Sequence, residues 1–132
     1  MKKVIATLAA IALPLSAHAA VYECDRTNKG SGGWVPPKTF LEINDAGTEA
    51  QAIDGIIKSV HDKPIPVAIK KKANGTYELS WKLRNVKTRN AGSTILAHTL
   101  TFDPAALTYK LRGRLHGSDN NISGRGTCKR IS

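Results

Sequence analysis

Apolar and polar residues alternate most cleanly at positions 77–84. Tyr77, Leu79, Trp81 and Leu83 fall on one side of an extended chain, and Glu78, Ser80, Lys82 and Arg84 on the other. Successive side chains of a strand point to opposite faces, so this period of two predicts a strand with one dry face and one wet face. The same pattern puts Leu96, His98, Leu100 and Phe102 on the inner face of a strand over 93–103. It puts Leu107, Tyr109, Leu111 and Leu115 on that of a strand over 107–115. Further β-branched or alternating runs predict strands over 21–26, 38–44, 48–57, 66–72, 76–87 and 126–131. No stretch of the mature chain carries an apolar stripe of helical period, and no internal repeat is evident.

Turn-forming residues separate these runs. Asn74-Gly75 is the strongest hairpin signal, because both residues tolerate the positive φ of a type I′ turn. Asn90-Ala91-Gly92 and Asp103-Pro104 mark two more turns, and irregular stretches are expected over 27–37 and 116–125. Asn74-Gly75-Thr76 and Asn121-Ile122-Ser123 have the form of glycosylation sequons and are read as turn chemistry. The expected fold is all-β: a single small antiparallel domain of about eight strands, either a meander closed into a barrel or a two-sheet sandwich.

The amino terminus changes the picture. Lys2 and Lys3 precede an apolar stretch at 4–15, and Ala17-His18-Ala19 supplies the small residues that signal peptidase accepts. Residues 1–19 therefore read as an export signal and residues 20–132 as the domain, with the periplasm or the exterior as its destination and no transmembrane segment after processing. Two cysteines remain, Cys24 near the start and Cys128 near the end of the mature chain. An even count in an exported protein reads as one structural bridge. The first and last strands of an up-and-down barrel are neighbours, so a bridge between them favours the barrel over the sandwich.

Charge narrows the function. The chain carries 20 Lys and Arg against 10 Asp and Glu, and loss of Lys2 and Lys3 leaves eighteen against ten, a formal +8. Such an excess suits anionic partners: envelope lipid, polysaccharide or an acidic protein. Two Trp, three Tyr and two Phe are few for stacking on bases, which argues against nucleic acid. Basic residues alternate at Lys70 and Lys72, at Lys82 and Arg84, and at Lys110, Arg112 and Arg114, all expected to face outward as a candidate anion-binding set. Strands four and five would be hairpin partners, which would gather Lys70, Lys72, Lys82 and Arg84 into one patch.

Candidate chemistry is sparse. Gly30-Ser31-Gly32-Gly33-Trp34 lacks the Gly-Lys-Ser/Thr continuation of a phosphate cradle and reads as a loop whose Trp34 caps the barrel end or meets a partner. His98 lies on an apolar face, Asp54 sits between Ile53 and Gly55, and His116 is in a loop; no hydroxyl nucleophile stands in an elbow beside them. The reading is a binding protein, not an enzyme, with no cofactor and no metal. Trp81, His98 and Tyr109 would line a cavity if the barrel were a lipocalin-like carrier of a small apolar ligand.

Tyr22-Glu23-Cys24-Asp25, Gly32-Gly33-Trp34, Leu79-Ser80-Trp81 and Gly124-Arg125-Gly126-Thr127-Cys128 together resemble a family of small exported bacterial β-proteins of unassigned activity. That resemblance covers nearly the whole mature chain and implies no substrate. The early Tyr-x-Cys and the late cysteine are also similar to periplasmic inhibitors of C-type lysozyme, which implies inhibition of a cell-wall-acting enzyme as an alternative function. Those inhibitors carry a Ser-Gly-x-x-Tyr loop, whereas Ser123-Gly124 here is followed by Arg125-Gly126-Thr127.

Overall fold

Eight strands follow one another along the chain: β1 (Ala20–Arg26), β2 (Lys38–Ile43), β3 (Ala50–Asp54), β4 (Ile65–Lys71), β5 (Tyr77–Lys87), β6 (Ser93–Asp103), β7 (Thr108–Leu115) and β8 (Asn121–Arg130). One short helix, α1 (Gly55–His61), lies between β3 and β4. The computed structural model describes residues 19–89, 92–119 and 121–132. The expected export signal, apart from Ala19, and the first two residues of the turn at 90–92 lie outside the described residues.

Each strand pairs antiparallel with the next, and β1 pairs with β8, so the sheet is a closed up-and-down barrel. Closure leaves no exposed sheet edge. At the seam Cys24 of β1 stands directly opposite Cys128 of β8, and the two form a disulfide. Of the two architectures the sequence allowed, the barrel is the one adopted.

The alternation sorts inside from outside as expected. Leu79 and Leu83 of β5, Leu96, Leu100 and Phe102 of β6 and Leu111 of β7 all point inward and are fully buried. Leu41 of β2, Ile57 of α1 and Ile122 of β8 join them. Tyr22 packs on Phe102 across the interior with ring centroids 4.6 Å apart. Burying each such side chain contributes about 1.5–3 kcal/mol relative to leaving it in water. Outward positions carry Lys82, Arg84, Lys110, Arg112 and Arg114, all exposed. Apolar inside and charged outside is the reverse of a lipid-embedded barrel. Among the described residues no helix is long and apolar enough to cross a membrane.

Three local expectations are corrected. The strand expected over 48–57 stops at Asp54, where the Asp54 carboxylate accepts the N–H groups of Ile56 (2.9 Å) and Ile57 (2.8 Å) and so starts α1. Only two turns long, α1 was too short to show a helical stripe, and it ends at Asp62, which is left-handed at φ 58°. The last strand begins at Asn121, not at residue 126, because its glycines are not turn residues. A Cβ on inward-facing Gly124 would lie 2.7 Å from a methyl of Val35, which fills that space. In the β4–β5 hairpin only Gly75 has positive φ (89°); its N–H bonds the Lys72 carbonyl (3.0 Å), and the Asn74 side chain accepts from Thr76 (3.1 Å from the backbone N–H).

In an up-and-down barrel alternate connections share an end. The long β1–β2 connection, α1 and the β7–β8 connection therefore lie together at one end. The β1–β2 connection does not stand free. Val35 enters the core, Trp34 packs against it, and Ser31 forms a two-way backbone bridge with Ser123 of β8, its N–H bonding the Ser123 carbonyl (2.8 Å) and its carbonyl the Ser123 N–H (3.0 Å).

Candidate anion-binding groove

The barrel register decides which cations meet. On the outer surface Lys110 of β7 stands opposite Arg125 of β8 on one side and Thr101 of β6 on the other. One step along, Arg112 lies between Ser123 and Thr99, and one step further Arg114 lies between Asn121 and Ala97. Alternate residues of a strand are about 6.6–6.8 Å apart. Lys110, Arg112 and Arg114 thus form a ladder of three cationic steps, with Arg125 beside the first and short neutral side chains at the other flanking positions.

Short flanks leave room. Thr101, Lys110, Arg112, Ser123 and Arg125 line a groove of about 870 Å³, walled on its far side by Asn28, Lys29, Gly30 and Ser31 of the β1–β2 connection. A second groove of about 570 Å³ continues past Arg112 and is lined by Ala97, Thr99, Arg112, Arg114, Asn121 and Ser123. Arg112 and Ser123 belong to both, so the two form one furrow crossed by the Arg112 side chain. The wall is fixed by the Ser31–Ser123 bridge, reinforced by contact between the two hydroxyls at 2.8 Å.

Among the described residues five cations, Lys29, Lys110, Arg112, Arg114 and Arg125, line this furrow, and no carboxylate does. The described ion pairs lie elsewhere. Lys38 is bonded to both Glu23 and Asp25, Lys58 lies near Asp62 (3.5 Å) and Lys72 pairs with Glu78 (3.2 Å). Like charges gathered on one face repel one another, weakly in water, and a bound anion offsets that repulsion.

The structure divides the basic residues expected from sequence. Lys110, Arg112 and Arg114 come together in the furrow. Lys82 opposes Ala97, in the row that contains Arg114, and so extends the cationic surface across β6. Lys70 stands opposite Glu78, and Lys72, just beyond the end of β4, pairs with that same carboxylate. Arg84 lines a separate groove of about 240 Å³ with Asn85 and Ser93. Sequence reading missed Lys29 and Arg125. Arg125 was legible in principle, since Asn121, Ser123 and Arg125 alternate with Ile122, Gly124 and Gly126, but the glycines read as loop.

Trp81, His98 and Tyr109 all face the barrel interior and are buried. Trp81 meets His98 edge to face, with centroids 5.6 Å apart. His98 donates its Nε2–H to the Trp34 carbonyl oxygen (3.1 Å), and burial lowers the imidazole to about 4. Burial likewise pushes the Tyr109 phenol up to about 12. Trp81 Nε1, His98 Nδ1, the Tyr109 hydroxyl and Asp54 Oδ2 are buried without a hydrogen-bond partner among the described residues. Asp54 and His98 serve different elements, one capping α1 and the other holding the β1–β2 connection, while His116 is exposed. No protein-family model, no curated protein and no solved structure matches this chain.

Proposed function

We propose that this protein is an exported, non-catalytic binding protein that holds anionic components of the cell envelope on the outer face of β6, β7 and β8. The observation that carries the reading is the furrow itself: among the described residues, five cations and no carboxylate on a wall built by register and by a fixed loop. An excess of basic residues alone needs no such organisation, because dispersed charge serves solubility equally well. Screening by salt over about 8–10 Å at ordinary ionic strength makes such binding strongly salt-dependent.

Two variants of equal net charge separate organised from dispersed charge. Arg112→Ser with Arg125→Ser removes two furrow cations; Lys70→Ser with Arg84→Ser removes two cations outside it. On beads carrying phosphate monoesters, the furrow variant should elute at clearly lower salt than the native protein, with the other variant close to native. Equal losses from the two variants would show that overall charge, and not the furrow, governs retention, and the reading would fall.

A further inference from the structure

We infer that the furrow takes a linear acidic polysaccharide, laid along β7 with successive anionic groups on Lys110, Arg112 and Arg114. This rests on the reading of the furrow as an anion site and names the class of ligand. Four features of the site select a chain of charged sugars from among the anions of an envelope.

The first is repetition. A lone phosphate or carboxylate needs one cluster of donors, whereas here the positions that bear cations recur at a backbone spacing of about 6.6–6.8 Å along a single strand. The ladder suits a ligand whose own charges recur. The second is extent. Grooves of about 870 and 570 Å³ joined through Arg112 exceed what a single small anion fills, since sites of roughly 300–1,000 Å³ hold molecules of several rings.

The third feature is the chemistry between the charges. Thr99, Thr101, Ser31 and Ser123 offer hydroxyls, and Asn28 and Asn121 offer amides, on both flanks of the cations. Hydroxyls and amides both donate and accept, which matches the hydroxyls of a sugar, and Ser31, Ser123 and Asn28 keep part of that capacity beside the bonds they already make. The fourth is composition: neither groove is lined by an aromatic side chain. Single-stranded nucleic acid draws much of its affinity from bases stacked on aromatic rings, and this site provides none.

Chain length is the quantity to vary. Sulfated heparin-derived di-, tetra- and octasaccharides, titrated against the full domain by calorimetry at fixed low salt, provide ligands of constant chemistry and increasing reach. Affinity should rise by about tenfold or more from the disaccharide to the longer chains and then level off once the ladder is occupied. The exposed substitution Arg112→Ser, which removes the shared central step, should flatten that dependence. Oligothymidylate of matched charge and phosphatidylglycerol vesicles should bind at least about tenfold more weakly than the octasaccharide.

Equal affinity for di- and octasaccharide would overturn the inference, as would oligothymidylate or vesicles binding as tightly as the octasaccharide. If the furrow variant still elutes early from phosphate beads in those cases, the anion-binding reading stands and only the polysaccharide falls. If the furrow variant matches its charge-matched control on the beads, both fall.

Discussion

The imidazole of His98 on β6 reaches the carbonyl oxygen of Trp34, 64 positions earlier, at 3.1 Å. A carbonyl only accepts, so Nε2 carries the proton and Nδ1 is left bare in the barrel interior. One side chain thereby ties the β1–β2 connection, and with it the wall of the furrow, to the core. His98→Leu keeps the apolar bulk and removes the tie. It should destabilise the fold by about 1–3 kcal/mol, the cost of leaving a buried polar group unpaired. Amide hydrogen exchange should accelerate over residues 27–37 more than over β5 and β6. Urea unfolding and exchange measured together would check both parts; uniform acceleration would mean that His98 supports the core without holding that connection.

Asp54 and His98 titrate in opposing senses across one pH window. Burial raises the Asp54 carboxyl to about 6, against the pull of the N–H groups of Ile57 and Ile56, while burial lowers His98 to about 4, partly offset by its bond to Trp34. A raised carboxyl binds its proton more readily when folded, so its contribution grows as pH falls from about 6 to 4. A lowered histidine binds its proton less readily when folded, so its contribution is complete above about 6.5 and is lost as pH falls toward 4. The two displacements are of similar size, each on the order of 3 kcal/mol, and opposite in sense, so they nearly cancel. Native stability should change little from pH 6.5 to 4 on account of these groups. Asp54→Asn, which still caps α1, should lose stability on acidification, and His98→Leu should gain it. Urea midpoints at several pH values would expose the pair, and parallel slopes in the three proteins would refute it.

How far the fold could be read in advance depended on how regularly each strand alternates. β5, β6 and β7 run eight residues or more with one face apolar, and their inward sets were legible down to His98 and Tyr109, except for Leu107, which stands in a left-handed turn (φ 58°) just before β7. β8 was harder, because Gly124 and Gly126 occupy its inner face and glycine signals a turn unless one knows that Val35 and Tyr109 fill the space above. α1 was invisible for want of length. Its cue was Asp54 just ahead of Ile56 and Ile57, a capping signal that also suits the end of a strand. For the furrow, alternation placed Lys110, Arg112 and Arg114 outward, but only register could set Arg125 beside Lys110 and part Lys70 and Lys72 from Lys82. Register is a property of pairing between strands, and a single strand's pattern does not contain it.

The disulfide closes a loop of 104 positions at the one seam joining the two ends of the domain. Restricting so long a loop in the unfolded chain is worth about 4–5 kcal/mol in the entropy model and about 2–5 kcal/mol in typical measurements. The seam also has its own ladder over five residue pairs, and the Ile131 N–H donates a further backbone bond to the Val21 carbonyl (2.8 Å). The Cys24→Ala, Cys128→Ala double variant should therefore still fold near room temperature, with an unfolding free energy lower by about 2–5 kcal/mol. Its m-value should rise, since the unfolded chain becomes more open. An unchanged midpoint in urea would show that strand pairing alone holds the barrel shut.

Gly30 and Gly33 share a loop and a left-handed backbone, with φ of 71° and 69°, yet they stand in different surroundings. A Cβ on Gly30 would lie 2.0 Å from the Ser123 carbonyl oxygen, the acceptor of the Ser31 bridge; a Cβ on Gly33 would meet nothing within 4 Å. Gly33→Ala should therefore cost only the backbone preference, about 1–2 kcal/mol. Gly30→Ala must also push the connection away from β8, for a total of about 2–4 kcal/mol. The functional consequence separates them further, because residues 28–31 form the wall opposite Thr101. Gly30→Ala should lower retention on phosphate beads, although every cation is still present, while Gly33→Ala should retain native behaviour. Native retention by Gly30→Ala, with its stability reduced as expected, would show that the cations bind without the wall and that the furrow's shape contributes nothing to recognition.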